Sequence, residues 1–354
     1  MTYDINITFF KIATMSYLFA MVFYLAYLVF KSQTVGKIAS GITYFGFLSH
    51  TASIGIRWWE SYQMGADIGH IPISNLFESM SFGAWTIILI YILIEWRYKN
   101  RTFGAFVMPV AFLAMTYIFV APNISKDIEP LVPALKSYWL VIHVTTSFLG
   151  YAAFAVSFGV SLMYLIITTD KKDPVYVFWT VCVGLLITVI VAVGIDFVVL
   201  PMSGGQHMLE GSFRNNIPVV RVLSYAGTLI ILFLCWLFGA QIRNKILGFA
   251  NTADMLDDVG YKTIMMGFPL LTVGIITGAV WANQAWGTYW GWDPKETWSL
   301  ITWLVYAAYL HARLTRGWKG KRASILSMVG FLAVIFTYLG VNLLLSGLHS
   351  YGGS

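Results

Sequence analysis

Charge is scarce in this chain. Only 11% of its 354 residues are Asp, Glu, Lys or Arg, against about 25% in ordinary soluble domains, so a large water-facing surface cannot be built from them. Cysteine is scarcer still, with 2 residues, Cys182 and Cys235. Both lie in apolar runs and neither has a CxxC neighbour, which excludes a zinc knuckle, a dithiol-exchange motif and covalent haem attachment to this chain. They read as small core residues. Internal repeats and low-complexity tracts are lacking, and no polar stretch is long enough to fold alone. The start, MTYDINITFFK, has no basic leader region or small-residue cleavage site, so the first apolar segment is expected to stay as a permanent helix.

What is abundant is hydrophobicity, at 58% of residues. Apolar runs of about 20 residues, enough to cross a hydrocarbon layer roughly 30 Å thick, recur along the whole length. The expected fold class is all-α: one polytopic membrane bundle over residues 1–354 with about ten spans, near 8–30, 36–59, 78–96, 103–121, 138–167, 174–200, 218–240, 262–283, 297–314 and 324–346. The net charge of +6 does not indicate nucleic acid, because the basic residues form short clusters between spans. Fifteen of the 22 Lys and Arg fall in one set of loops, at 31–37, 97–101, 171–172, 243–262 and 313–322. Positive charge marks the cytoplasm-like side, so both termini and the loop near residue 290 are expected to face outward.

That outer loop is unusual. Residues 286–298 read WGTYWGWDPKETW, and Trp281, Trp286, Trp290, Trp292, Trp298 and Trp303 place six of the chain's 14 tryptophans between positions 281 and 303. Part of the segment has a structural role: Asp293 as N-cap, Pro294 at the first helical position and Glu296 reaching back make a capping box. An interfacial belt needs only one or two tryptophans per span. The density here suits a platform for a large planar apolar ligand, held by stacking and buried area.

The chain has 6 histidines: His50, His70, His143, His207, His311 and His349. Ionisable groups inside spans are costly enough to be functional candidates. His143 lies five residues into a span entering from outside, roughly 8 Å along its axis, and His349 follows the last span on the same side. Two imidazoles flanking an aromatic shelf suit axial ligation of a haem iron. His311 sits about 14 residues into the ninth span, roughly 21 Å from the outer surface. His50 counts from the opposite side, and its depth differs from that of His311 by roughly 12 Å, so the two do not form a level pair. His70 and His207, in outer loops, read as surface residues.

Four stretches resemble one family. WGTYWGWDPKETW with SLITWLVYAAYLHARLTRGWKG is similar to the tryptophan-rich WWD signature of the CcsA/ResC family of cytochrome c assembly proteins. SYWLVIHVTTSFLGYAAF, YLGVNLLLSGLHSYG and RWWESYQMGADIGHIPISNLFES resemble three further motifs, in family order; residues 174–240 find no match among these motifs.

The resemblance implies a haem-handling subunit of a system II cytochrome c synthase. Haem b, as substrate, would be moved to the outer face and presented for thioether attachment to a CxxCH apocytochrome c, with a CcsB/ResB-type membrane partner and a thiol-reducing pathway. It implies a bacterial inner membrane, with the thylakoid membrane as the alternative. By motif, His143 and His349 match the two external haem ligands, and His311 the intramembrane haem histidine. The segment 281–303, with Trp286, Tyr289, Trp290, Trp292, Asp293 and Trp298, matches the haem-holding domain. His50 is a further candidate ligand whose role does not carry over cleanly. The rival readings are a haem exporter without attachment activity and a b-type haem and quinone electron carrier; the latter usually has two histidines on one helix, and no span here holds two.

Overall fold

A computed structural model of the chain describes residues 5–65, 68–121, 124–199, 218–247 and 252–345. Among these residues the secondary structure is helical, with no strand. The ten long helices are α1 (Ile5–Phe30), α2 (Gln33–Met64), α3 (Leu76–Tyr98), α4 (Gly104–Val120), α5 (Tyr138–Thr168), α6 (Pro174–Val199), α7 (Pro218–Leu247), α8 (Ala253–Trp286), α9 (Pro294–Thr315) and α10 (Lys321–Ile335). A π-turn, Phe336–Gly340, and a last helical turn, Val341–Leu344, continue α10.

Eight of these helices are long and apolar enough to cross a membrane. The exceptions among the ten are α2 and α9. Their positions explain it: α2 carries His50, Arg57 and Glu60 on its buried face, and α9 carries Lys295, Glu296, His311 and Arg313. Polar residues placed for internal bonding or chemistry lower the average apolarity of a span without removing it from the bundle.

The element at the centre is α5. In its most apolar window 83% of residues are buried, and it packs along α8, α10, α3 and α4. Its antiparallel seam with α8 is made of small residues. Gly260, Gly267 and Gly274 recur every seven positions on α8 and meet Ser157, Ala153, Gly150 and Ser147 of α5. Without a hydrophobic driving force between helices in lipid, such close approach supplies the packing energy. At the far side α6 and α7 form an outer hairpin: Tyr176 donates from its hydroxyl to the carbonyl of Trp236 at 2.8 Å, and Trp179 is fully buried.

Contacts sort the helix ends onto two faces. On one, Arg313 pairs with Asp257 at 2.6 Å, Lys321 pairs with Asp173, and the Arg101 guanidinium lies 3.7 Å from Glu95. On the other, Asn6 donates to Glu60, Ser79 of α3 bonds Tyr338 at 2.6 Å, and Trp281 donates to the carbonyl of Ala134 at 2.8 Å. The cation-rich face is the cytoplasm-like side by the positive-inside rule. The tryptophan loop lies on the opposite face.

Candidate functional site: the outer pocket

A pocket opens between the outer ends of α5, α8, α9 and α10. One wall is α5, through Leu140, His143, Val144 and Ser147, and the facing walls come from Gly278 and Trp281 on α8, Tyr289 and Trp290 in the loop, Lys295 and Glu296 at the start of α9, and Tyr338 on the π-turn. The π-turn widens the final helix by one residue and brings Thr337 and Tyr338 to the pocket; such bulges recur at functional sites.

His143 is held by backbone. Its Nδ1 lies 2.6 Å from the carbonyl oxygen of Gly274, and a carbonyl can only accept, so Nδ1 carries the proton. In the neutral ring the lone pair is then on Nε2, the tautomer that ligates metals. One glycine makes room for the ring and a second for the neighbouring Ser147. A Cβ at Gly278 would come within 2.5 Å of His143 Nδ1, and one at Gly274 would overlap Ser147. The Trp281 indole lies nearly parallel to the imidazole, at 6.3 Å and 14°.

The aromatic residues divide into two groups. Trp281, Tyr289 and Trp290 line the pocket. The others support them: Trp286 meets Trp281 edge-on at 4.8 Å, Trp292 meets Trp290 at 5.9 Å and 87°, and Trp298 packs on Phe336 at 4.1 Å. Trp292 has φ of +57°, a conformation costly for a bulky side chain and a mark of an over-determined loop. The loop begins at Gly287, whose φ of +80° closes α8, a left-handed cap that glycine adopts without penalty. Asp293 is the N-cap of α9. It accepts from Lys295 N at 2.9 Å, and Glu296 Oε2 accepts from Asp293 N at 3.2 Å and Gly291 N at 2.7 Å. The capping box is as the sequence predicts.

The other histidines scatter. His349 and His207 lie outside the described residues. His311 is exposed on the outer surface of α9, 16 positions below Lys295 and hence roughly 24 Å further along the axis. His50 is fully buried between two hydroxyls, with Tyr17 OH at 3.2 Å from Nδ1 and Ser81 Oγ at 2.9 Å from Nε2. Both ring nitrogens are thus engaged by the protein.

His70 is not on the surface, contrary to the sequence reading; it is 6% exposed. A buried ion pair drew it in. Arg57 donates to Glu78 at 2.8 Å and to the carbonyls of Lys126 and Asp127 at 2.8 and 2.9 Å, which ties α2, α3 and the 124–137 segment together. His70 Nδ1 faces the Ile68 carbonyl at 2.6 Å, and Nε2 faces Ser74 Oγ at 3.1 Å, while that hydroxyl donates to Glu78 Oε2 at 2.7 Å. Both ring nitrogens therefore act as donors, as in the imidazolium. Burial opposes the charge, but the Glu78 carboxylate and the Ile68 carbonyl outweigh it and hold the His70 pKa above its ordinary value.

Several pocket residues escape sequence reasoning. Gly274 acts through a carbonyl, which has no sequence signature. Gly278 is one glycine among 31 and falls outside the seven-residue glycine spacing of α8. Lys295 is singled out by packing alone, through its bond to Asn342.

A family model described as "Cytochrome C assembly protein" matches residues 73–349. The chain belongs to the cytochrome c assembly family. The match runs through α6 and α7, the stretch that its motifs alone left unassigned. The chain is 40% identical over 324 residues to the protein named "Cytochrome c biogenesis protein CcsA" of Gloeobacter violaceus, covering 89% of this chain and 86% of the relative. It is 42% identical over 319 residues to the CcsA of Synechococcus elongatus, with 86% and 84% covered, and 38% identical over 321 residues to that of Pyropia yezoensis, with 90% and 88% covered. As a member of this family with eight apolar crossing helices, the chain is an integral protein of a bacterial or thylakoid membrane.

Proposed function

We propose that this chain acts in cytochrome c biogenesis by holding haem in the outer pocket, as a substrate, and presenting it for attachment to apocytochrome c. The observation that carries this reading is the bond from His143 Nδ1 to the Gly274 carbonyl. It leaves the lone pair on Nε2 of a histidine that lines a pocket walled by Trp281 and Trp290. An imidazole poised for a metal beside indoles suits a flat metallomacrocycle better than it suits a simple ion or an aliphatic lipid.

His349 supplies the second axial ligand in this reading. With both axial positions held, the vinyl groups stay available. Each cysteine thiol of a CxxCH peptide then adds across one vinyl: a C–S bond forms, the vinyl π bond is lost, and the thiol proton goes to carbon, with no net oxidation. The chain's contribution is positioning of thiol and vinyl. The peptide histidine replaces one of the two imidazoles on the iron.

A CcsB/ResB-type partner completes the synthase. His311, exposed on an outward surface of α9, fits an intramembrane haem station whose second ligand comes from another chain. An ionisable side chain turned outward at that depth is expensive unless something covers it. Haem passes from this station to the outer pocket.

Co-expression of the chain, its partner and a CxxCH reporter tests the reading. Covalent haem on the reporter that requires His143 and His349 supports it. Haem efflux without covalent product would assign the chain as an exporter instead.

A further inference from the structure

The backbone of the outer loop is pinned on both sides of one exposed side chain. A single carboxylate oxygen, Glu296 Oε2, accepts from the amides of Gly291 and Asp293 at 2.7 and 3.2 Å, the residues flanking Trp292. Thr297 Oγ donates to the Trp292 carbonyl at 3.4 Å. Held in this way, Trp292 has φ of +57°, in the left-handed region that a bulky side chain occupies only at a cost. Glycine takes that conformation freely, and the loop has glycines at 287 and 291. The turn at 292 nevertheless falls on a tryptophan.

The result is an indole turned outward. Trp292 is 69% exposed, although an indole is among the side chains with the most apolar surface to bury. The helix cap does not require it, since the box is made by the carboxylates of Asp293 and Glu296 with main-chain amides. An interfacial belt does not require it either, because an indole reaches the headgroup level from ordinary backbone. Backbone strain kept at an exposed aromatic residue points to use of that side chain by something outside the chain.

The position of the indole identifies its occupant. Trp292 meets Trp290 edge-on at 5.9 Å, and Trp290 lines the outer pocket. Tyr289 lines the same pocket and is 61% exposed. These residues carry aromatic surface from the pocket wall to its mouth, which a second reactant must cross to reach a ligand inside. Attachment brings two thiols to the vinyl edge, and they arrive on a flexible peptide. A rigid aromatic side chain anchors such a segment at low entropic cost, and sulfur packs favourably against aromatic rings.

We propose that Tyr289 and Trp292 form the docking surface for the apocytochrome segment, with Trp292 as its anchor beside the CxxCH run, while Trp281 and Trp290 face the haem. This rests on the haem-holding reading and adds to it how the second reactant is placed. Trp292 acts by positioning, and the bonds that form and break are unchanged.

The test is haem attachment to a synthetic peptide with one CxxCH run, by the chain purified with its partner and its own haem, under a reductant that keeps the thiols free. Initial rates per bound haem are measured against peptide concentration for the wild type, Trp292→Gly and Trp292→Phe. Glycine accepts the left-handed turn, so Trp292→Gly removes the indole and keeps the loop. The expected result is an apparent KM for the peptide raised about tenfold or more in Trp292→Gly, with the haem bands at their wild-type positions, and most of the wild-type value recovered in Trp292→Phe. An unchanged KM in Trp292→Gly overturns the docking role. A loss that vanishes once rates are taken per bound haem also overturns it, and would mark Trp292 as a support of Trp290 alone. Loss of the partner from the purified variant overturns it as well, by assigning the indole to the subunit interface. If the wild type carries no haem, or attaches none to the peptide, the haem-holding reading fails first and the docking role with it.

Discussion

The imidazole of His143 on α5 is oriented by the backbone of α8, through the 2.6 Å bond from Nδ1 to the carbonyl of Gly274. Residues 131 positions apart thereby set which ring nitrogen carries the lone pair. The bond exists because α5 and α8 approach closely along glycines, so the helix seam and the site have one cause.

Gly278→Ala should therefore behave as a ligand mutation. The added methyl falls 2.5 Å from His143 Nδ1, and either the ring or the seam must shift, at a cost of about 1–3 kcal/mol. Haem retained on the purified protein should drop close to the level of His143→Ala, while the protein stays inserted. Gly41→Ala, with nothing within 4 Å of its Cβ, is the control and should leave the spectrum unchanged. A Gly278→Ala variant with wild-type haem content would contradict the socket.

The aromatic residues should rank by position. Trp290→Ala and Trp281→Ala remove pocket wall and should lower haem content most. Trp298→Ala removes the contact with Phe336 and should act first on thermal stability. Parallel haem quantification and thermal unfolding of the three variants checks the order, and equal effects on both readouts would contradict it.

The two histidines outside the pocket, His50 and His311, should separate in the same way. His50→Ala leaves the hydroxyls of Tyr17 and Ser81 without their shared partner, a loss of about 1–3 kcal/mol in stability, with the outer haem bands intact. His311→Ala should leave pocket affinity for added haem unchanged and reduce the haem delivered there in cells. Loss of outer-site affinity in vitro on His311→Ala would argue against separate stations.

The His70 cluster should confer pH dependence on the outer face. Its pKa is raised in the folded chain. The stabilisation is thus complete below the ordinary histidine value of about 6.5 and is lost as pH rises through the raised value. Amides of residues 68–74 should lose protection across that window beyond the intrinsic pH effect on exchange. Both His70→Gln and Glu78→Gln should abolish the step. Protection that follows the intrinsic rate alone would contradict an imidazolium at this position.

Hydropathy located the helices well where the chain is uniformly apolar. The expected spans 138–167 and 174–200 fall on Tyr138–Thr168 and Pro174–Val199. It did less well where helices outrun the membrane. The expected 262–283 is the middle of Ala253–Trp286, whose first turns carry Asp254, Asp257 and Asp258 and serve the inner face. The π-turn at Phe336–Gly340 has no hydropathy signature, so the final span read as one helix. The Asp293 capping box was legible because its residues are adjacent. His70 was misread because its partner Glu78 and the Arg57 that fixes it come from two other helices. The same reason hid Lys295, whose Asn342 contact spans 47 positions.

The most direct measurement is the reduced-minus-oxidised absorbance spectrum of the chain purified with its partner, as wild type and as His143→Gly, with and without imidazole. Low-spin haem bands should be present in the wild type, collapse in His143→Gly and return when imidazole fills the vacated position. A His143→Gly protein that keeps the wild-type bands without imidazole would show that His143 is not an iron ligand in the outer pocket.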